Sequence, residues 1–157
     1  MFRPLALPAG VAGALWLHAM PGRFEPWSDF LAEAARCRLD RILCLTSLEE
    51  VAALSPSYAQ AIGQGTLPCR WEQLVIRNFG LPLDEAGFRE RVQAVAAALA
   101  HGESVLMHCA AGIGRTGTVA ACVLKQLGWP AQTALQQVIA AGSNPQNAQQ
   151  SGLVHWF

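Results

Sequence analysis

The stretch Ser104-Val105-Leu106-Met107-His108-Cys109-Ala110-Ala111-Gly112-Ile113-Gly114-Arg115-Thr116-Gly117 decides how this chain is read. Its first four residues form a short apolar run with the character of a central parallel strand. From Thr118 the pattern turns helical, with Val119, Cys122, Val123 and Leu127 on one face. A strand, a glycine-bearing loop and a helix together make an anion cradle, because loop N–H groups point inward and the helix N-terminus adds positive potential. Cys109 stands at the mouth of that cradle, where the same potential favours a thiolate over the ~8.5 pKa of a free thiol and makes it a nucleophile at neutral pH. Arg115 closes the loop with a planar fork that can hold two equatorial oxygens of a phosphoryl group, while the amides of Ala110, Ala111, Gly112, Ile113, Gly114 and Arg115 hold the rest. Gly112 and Gly114 let the backbone approach the anion without side-chain obstruction. A cysteine at the end of a buried strand is usually an inert small hydrophobe. The joint pattern of Cys, five residues, Arg, Thr and Gly, with His108 in front, points away from that reading.

Outward from this stretch the chain alternates strand-like and helix-like segments. Residues 13–19, 40–46 and 70–76 read as strands, and residues 27–36, 48–54 and 58–63 as helices or helical turns. Asp84 is placed to cap a long helix carrying Phe88, Val92, Val95, Ala96 and Leu99 on one face, which Gly102 ends. The fold class implied is α/β: one domain over residues 1–157, with a central, mostly parallel sheet flanked by helices.

Eleven Lys and Arg balance eleven Asp and Glu, for zero net charge and a pI near 6.9. That balance leaves no basic field for nucleic acid and no polybasic patch for an anionic membrane, so phosphate binding must be local. Five cysteines without paired spacing point away from a disulfide scaffold or a structural metal, and the expectation is a chain with no metal and no cofactor. The opening residues read as a first strand rather than a cleaved leader, and the expected location is cytoplasmic. The sequence sets no oligomeric state.

The signature residues 108–117 resemble those of the cysteine-dependent protein tyrosine phosphatase superfamily, whose pattern is His-Cys-x5-Arg-Ser/Thr-Gly. The small dual-specificity-type phosphatases are the most similar branch. Met20-Pro21-Gly22-Arg23, the strand Asp40-Arg41-Ile42-Leu43-Cys44-Leu45-Thr46 followed by Glu49-Glu50, and Gln150-Ser151-Gly152-Leu153-Val154 also have counterparts there. The resemblance implies that Cys109 attacks phosphorus to form a thiophosphate, with Arg115 and the loop amides stabilising the equatorial charge. It implies that Thr116 helps the sulfur leave, that His108 orients the loop, and that Gln150 positions the hydrolytic water. A glutamine among Gln146, Gln149 and Gln150 also reads as a solvated helix face, and His108 also reads as a satisfied core residue.

The departure lies upstream. Where the family places Ile-x-Asp-aromatic-Gly-x-Pro, with the Asp as general acid, this chain has Ile76-Arg77-Asn78-Phe79-Gly80-Leu81-Pro82. An amide cannot donate that proton, and general acid catalysis is worth ~10²–10⁴-fold, so poor leaving groups should suffer most. Asp84 or Glu85 is a candidate replacement. Small or apolar side chains at Ala110, Ala111 and Ile113 favour a phosphorylated side chain or a small phosphoester as substrate, and Trp71, Phe79 and Tyr58 either stack on a phenyl ring at the rim or pack in the core. Three functions follow: a phosphotyrosine-type phosphomonoesterase, a phosphate-binding pseudophosphatase with weak turnover, and an arsenate reductase or sulfur-transfer protein.

Overall fold

Short apolar strands alternating with helices build one five-stranded sheet. The computed structural model describes residues 1–77, 80, 82 and 84–157. In chain order the elements are β1 (Arg3–Leu5), β2 (Ala14–His18), α1 (Trp27–Arg36), β3 (Arg41–Cys44), α2 (Leu48–Leu54), α3 (Pro56–Gln64), β4 (Arg70–Gln73), α4 (Glu85–Ala100), β5 (Ser104–His108), α5 (Gly114–Gln126), α6 (Ala131–Ala140) and α7 (Ala148–Trp156). The sheet order is β1-β2-β5-β3-β4, with β1 antiparallel and the other pairs parallel. This is the mostly parallel α/β arrangement expected from the sequence.

β5 is buried at every position, as a strand with neighbours on both edges and helices on both faces must be. The period of two splits the strands between two cores. Leu15, Leu17, Leu43, Val105 and Met107 face α4, α5, α6 and α7, whereas Ile42 and Leu106 face α1, and Cys44 faces α2 and α3. α5 lies at the centre of its layer, packed on α4, α6 and α7, and its first eleven residues are all buried. At the sheet edge the buried Arg41 is paired with Glu72 at 2.9 Å and Glu103 at 3.2 Å, and Arg91 from α4 reaches the same Glu72 at 2.8 Å. No helix among the described residues is long and apolar enough to cross a membrane.

Several elements differ from the sequence expectation. The strands expected at 40–46 and 70–76 are shorter, and α3 starts at Pro56, where proline lacks only an N–H that is unpaired in any first turn. The helix expected from Thr118 begins at Gly114, so Arg115, Thr116 and Gly117 belong to its first turn. Asp84 occupies the N-cap position of α4 with extended backbone, but its carboxylate accepts no capping hydrogen bond. It is turned against Gly87, where a Cβ would stand 2.4 Å from its Oδ2. Helices α6 and α7 lie beyond the elements read from the sequence.

Phe88 is fully buried in α4, and its ring meets Phe157 edge-on at 5.8 Å. Phe88→Ala should lower stability by about 3–5 kcal/mol, read as a shift of the urea midpoint at unchanged m-value.

Candidate active site

β5 delivers His108 to the C-terminal end of the central strand, the chain turns through residues 109–113, and α5 starts at Gly114. The turn is held by its carbonyls. The Cys109 carbonyl faces His108 Nδ1 at 3.0 Å, the Ala110 carbonyl accepts from Met20 N–H at 3.2 Å and Arg23 Nη1 at 2.9 Å, and the Ile113 carbonyl accepts from Asn144 N–H at 3.1 Å. In a trans peptide the C=O and the following N–H point in opposite directions, so these outward carbonyls turn the N–H groups of Ala110, Ala111 and Gly114 toward the concave side. Gly112 has φ +75°, and a Cβ there would stand 2.4 Å from the His18 carbonyl, which leaves glycine as the residue that fits.

The Cys109 sulfur accepts a hydrogen bond from Gly112 N–H at 3.2 Å and lies at the floor of a cleft of about 290 Å³ lined by Arg23, Glu50, Leu54, Gln146 and the loop. Burial raises the thiol pKa there. The Thr116 hydroxyl and N–H, the Arg115 charge and the Gly112 N–H outweigh it, so the net shift is downward. Thr116 Oγ1 is buried without a full hydrogen-bond partner, which leaves its proton available to the sulfur.

Arg115 is 3% exposed and directed by a residue absent from the sequence-based candidates. Glu50 takes Nη1 at 2.9 Å and Nη2 at 2.8 Å, and the Ile76 carbonyl takes Nη1 at 3.1 Å. Of five guanidinium N–H bonds, the Nε–H and one Nη2–H remain. These two share one edge of the fork, the edge able to hold two oxygens of an anion. The Arg115 hydrogen bond keeps the Glu50 carboxyl below its ordinary range although burial opposes it. Glu50 follows Ser47 by three positions in an α2 capping-box pattern, and Ser47 Oγ does accept from Glu50 N–H at 3.2 Å. That local explanation hides the second role of the carboxylate.

His108 is fully buried. Trp71 Nε1–H donates to the Tyr58 oxygen at 2.9 Å, so the Tyr58 proton is directed at His108 Nε2, 2.7 Å away, and His108 Nδ1–H is left to donate to Cys109. Burial pushes His108 down to about 4, and it is neutral at physiological pH. Tyr58 is therefore a core residue rather than a rim platform, and Trp71 is tied to it. Gln150 also differs from expectation. It is 1% exposed, its Oε1 accepts from Gln146 N–H at 2.9 Å, and it does not line the cleft. Gln146, four residues earlier, does: a Cβ on Gly114 would stand 2.5 Å from its Oε1.

The structure thus brings Cys109, Ala110, Ala111, Gly114 and Arg115 to one cleft, with Gly112 and Thr116 against the Cys109 sulfur and Ile113 in the same turn. Asn78 and Phe79 lie outside the described residues; Ile76 and Pro82, which flank them, are joined by an antiparallel bridge. Asp84 opens onto a different cavity, with Gln73, Phe88 and Arg91, and does not line the Cys109 cleft. Among the described residues no group of three or more His, Cys, Asp or Glu is placed to hold a metal ion.

The model of the family described as PTP-SAK, Swiss Army Knife protein, DSP-PTPase phosphatase domain, matches residues 27–153. Among solved structures, kinase associated phosphatase with serine in place of its catalytic cysteine superposes with a TM-score of 0.82 at 22% identity, over 99% of this chain and 92% of that one. PTPMT1 gives a TM-score of 0.70 at 18% identity over 99% and 92%, and DUSP15 gives 0.67 at 18% over 98% and 86%. At these identities the likeness is one of fold. No curated protein matches the sequence.

Folding with His108 neutral makes stability pH-dependent. The contribution is whole above its unfolded pKa and is lost as pH falls through the folded value, on the order of 3 kcal/mol between about pH 6.5 and about pH 4. Urea midpoints measured across that window should fall more steeply for the parent than for His108→Gln.

Proposed function

The chain belongs to the DSP-PTPase phosphatase domain family of Swiss Army Knife proteins, and from that premise we propose that it hydrolyses phosphotyrosine, and more slowly phosphoserine or phosphothreonine, through a cysteinyl-phosphate intermediate. The observation that carries this reading is the half-engaged Arg115 fork beside a buried sulfur that accepts the Gly112 N–H. An anion seated on the free Nε/Nη2 edge and the inward amides has its central atom above the nucleophile.

Residues 1–157 act as one catalytic unit in this reading. Cys109 Sγ attacks phosphorus, an S–P bond forms, and the P–O bond to the leaving group breaks. Asn78 supplies no proton, so the leaving oxygen departs with its charge and is protonated by water. Water, oriented by the Gln146 amide, then attacks the thiophosphate. Phosphate is released, and the Thr116 hydroxyl and Gly112 N–H receive the returning thiolate. Arg23 and the exposed Phe24, whose ring lies 4.5 Å from the Arg23 guanidinium, form the lip a phosphoaryl side chain would cross. A thiol of lowered pKa stays reduced in a reducing compartment, which is the basis for a cytoplasmic location.

Burial pushes Cys122 up to about 12 and also raises Cys44, so neither is a ready relay thiolate, and this favours the phosphatase over arsenate reduction. The amide at Asn78 favours a second reading, a phosphate-gripping protein with little turnover.

Cys109→Ser should keep oxyanion binding and abolish hydrolysis of an aryl phosphate; retained turnover would remove Cys109 from the mechanism. Arg115→Lys should be severely impaired, since a point ammonium cannot serve Glu50 and two phosphoryl oxygens together. With no proton donor the parent rate should depend steeply on leaving-group pKa across a series of aryl phosphates. Asn78→Asp should flatten that series and raise phosphotyrosine turnover on the order of 10²-fold. A flat series in the parent would mean that another acid serves.

A further inference from the structure

One carbonyl of the loop is held by side chains from outside the signature. Arg3, on β1, donates from Nη2 to the Gly112 carbonyl, and from Nη1 to the Ala141 carbonyl at 2.8 Å and Ser143 Oγ at 3.0 Å. Ser143 is 1% exposed, and its hydroxyl, accepting from Arg3, donates to the same Gly112 carbonyl at 2.7 Å. The three groups close a triangle around one oxygen.

Gly112 lacks a Cβ to fix its conformation, so the orientation of the peptide between Gly112 and Ile113 depends on what holds its two ends. With the carbonyl drawn outward, the Ile113 N–H is turned toward the cradle. The bonds from Arg3 are charge-assisted and come from a planar fork that reaches three acceptors at once. Among the described residues Arg3 has no carboxylate partner. Burial lowers the Arg3 pKa and the Cys109 thiolate raises it in part, so the two charges attract.

Resting on the reading of this cleft as a phosphoryl-transfer site, we propose that Arg3, with Ser143 as its relay, is a positioning residue: it acts through the Gly112 carbonyl to aim the Ile113 N–H at an equatorial oxygen. It touches neither substrate nor sulfur.

The test compares the parent with Arg3→Met, Arg3→Lys and Ser143→Ala by four readouts: kcat and KM on an aryl phosphate, tungstate affinity, the pH midpoint of iodoacetamide alkylation at the Cys109 peptide, and Tm. Arg3→Met should lower kcat on the order of 10-fold, less than outright loss of an oxyanion donor, with a smaller change in KM. It should also weaken tungstate binding and move the alkylation midpoint to higher pH. Arg3→Lys should recover the midpoint more than kcat, because it keeps the charge and loses the fork. If Arg3→Met does not fold, Arg3→Lys and Ser143→Ala carry the test. Parent values of kcat, tungstate affinity and midpoint in the folded variants overturn the proposal, and so does a fall in kcat that follows Tm with the midpoint unmoved. If the parent hydrolyses no phosphoester, the phosphatase reading fails on its own; tungstate affinity and the alkylation midpoint still decide for or against Arg3.

Discussion

A thiol whose pKa is drawn below its ordinary value at the buried end of a β-strand is the constraint on which this structure turns. Cys109 is 3% exposed, and an ionised group so far from water costs several kcal/mol unless donors replace the lost hydration. The donors at hand are the Thr116 hydroxyl and backbone N–H groups of one tight turn, and the N–H groups face inward only if the carbonyls of the same peptides are engaged elsewhere. This requirement draws distant segments to one place: β1 through Arg3, the β2–α1 loop through Met20 and Arg23, and the segment after α6 through Ser143 and Asn144. The parallel sheet supplies the site's location, and the outer hydrogen bonds supply its polarity.

Arg115 raises the same problem with opposite sign. A guanidinium buried this deeply needs a counter-charge, and Glu50 provides it from α2, across the sheet from α5. Glu50 is itself positioned by the Ser47 cap at the start of α2, so a local feature of helix geometry fixes which edge of the arginine stays free. His108 solves its burial by staying neutral, with both ring nitrogens engaged. Among the described residues two buried side-chain atoms have no full hydrogen-bond partner, Gln150 Nε2 and the Thr116 hydroxyl, and the Thr116 hydroxyl lies against the Cys109 sulfur.

How much of this was legible in the sequence follows from the range of each interaction. The strand, loop and helix around Cys109 were readable because they depend on residues adjacent in sequence. The α5 start was placed four residues late because Ile113, at its N-cap, offers no side-chain cap to mark it. On the proposed reading the first-turn N–H groups serve an anion instead. Gln146 and Gln150 are four residues apart and look equivalent in sequence, but Gln146 precedes α7 and packs against Gly114, whereas Gln150 lies within the helix. Core packing and a place at the rim are both open for Tyr58 in sequence, and the partner for its hydroxyl, fifty residues away on β5, decides for the core. Glu50 and Arg3 belong with it: their partners are set by tertiary contacts that leave no local pattern.

The chain keeps the two halves of its chemistry on separate supports. The cradle is built on β5 and α5, whereas Ile76 and Pro82, which flank the position proposed for a general acid, form an antiparallel bridge beyond β4. The described link between them is the hydrogen bond from Arg115 to the Ile76 carbonyl. The acceptor at Ile76 is backbone, so in the proposed mechanism the arginine contact and the side chain at position 78 are chemically separate. On that proposed reading, an amide in place of the acid lowers the rate on poor leaving groups and leaves the inward N–H groups and the free edge of Arg115 as they are.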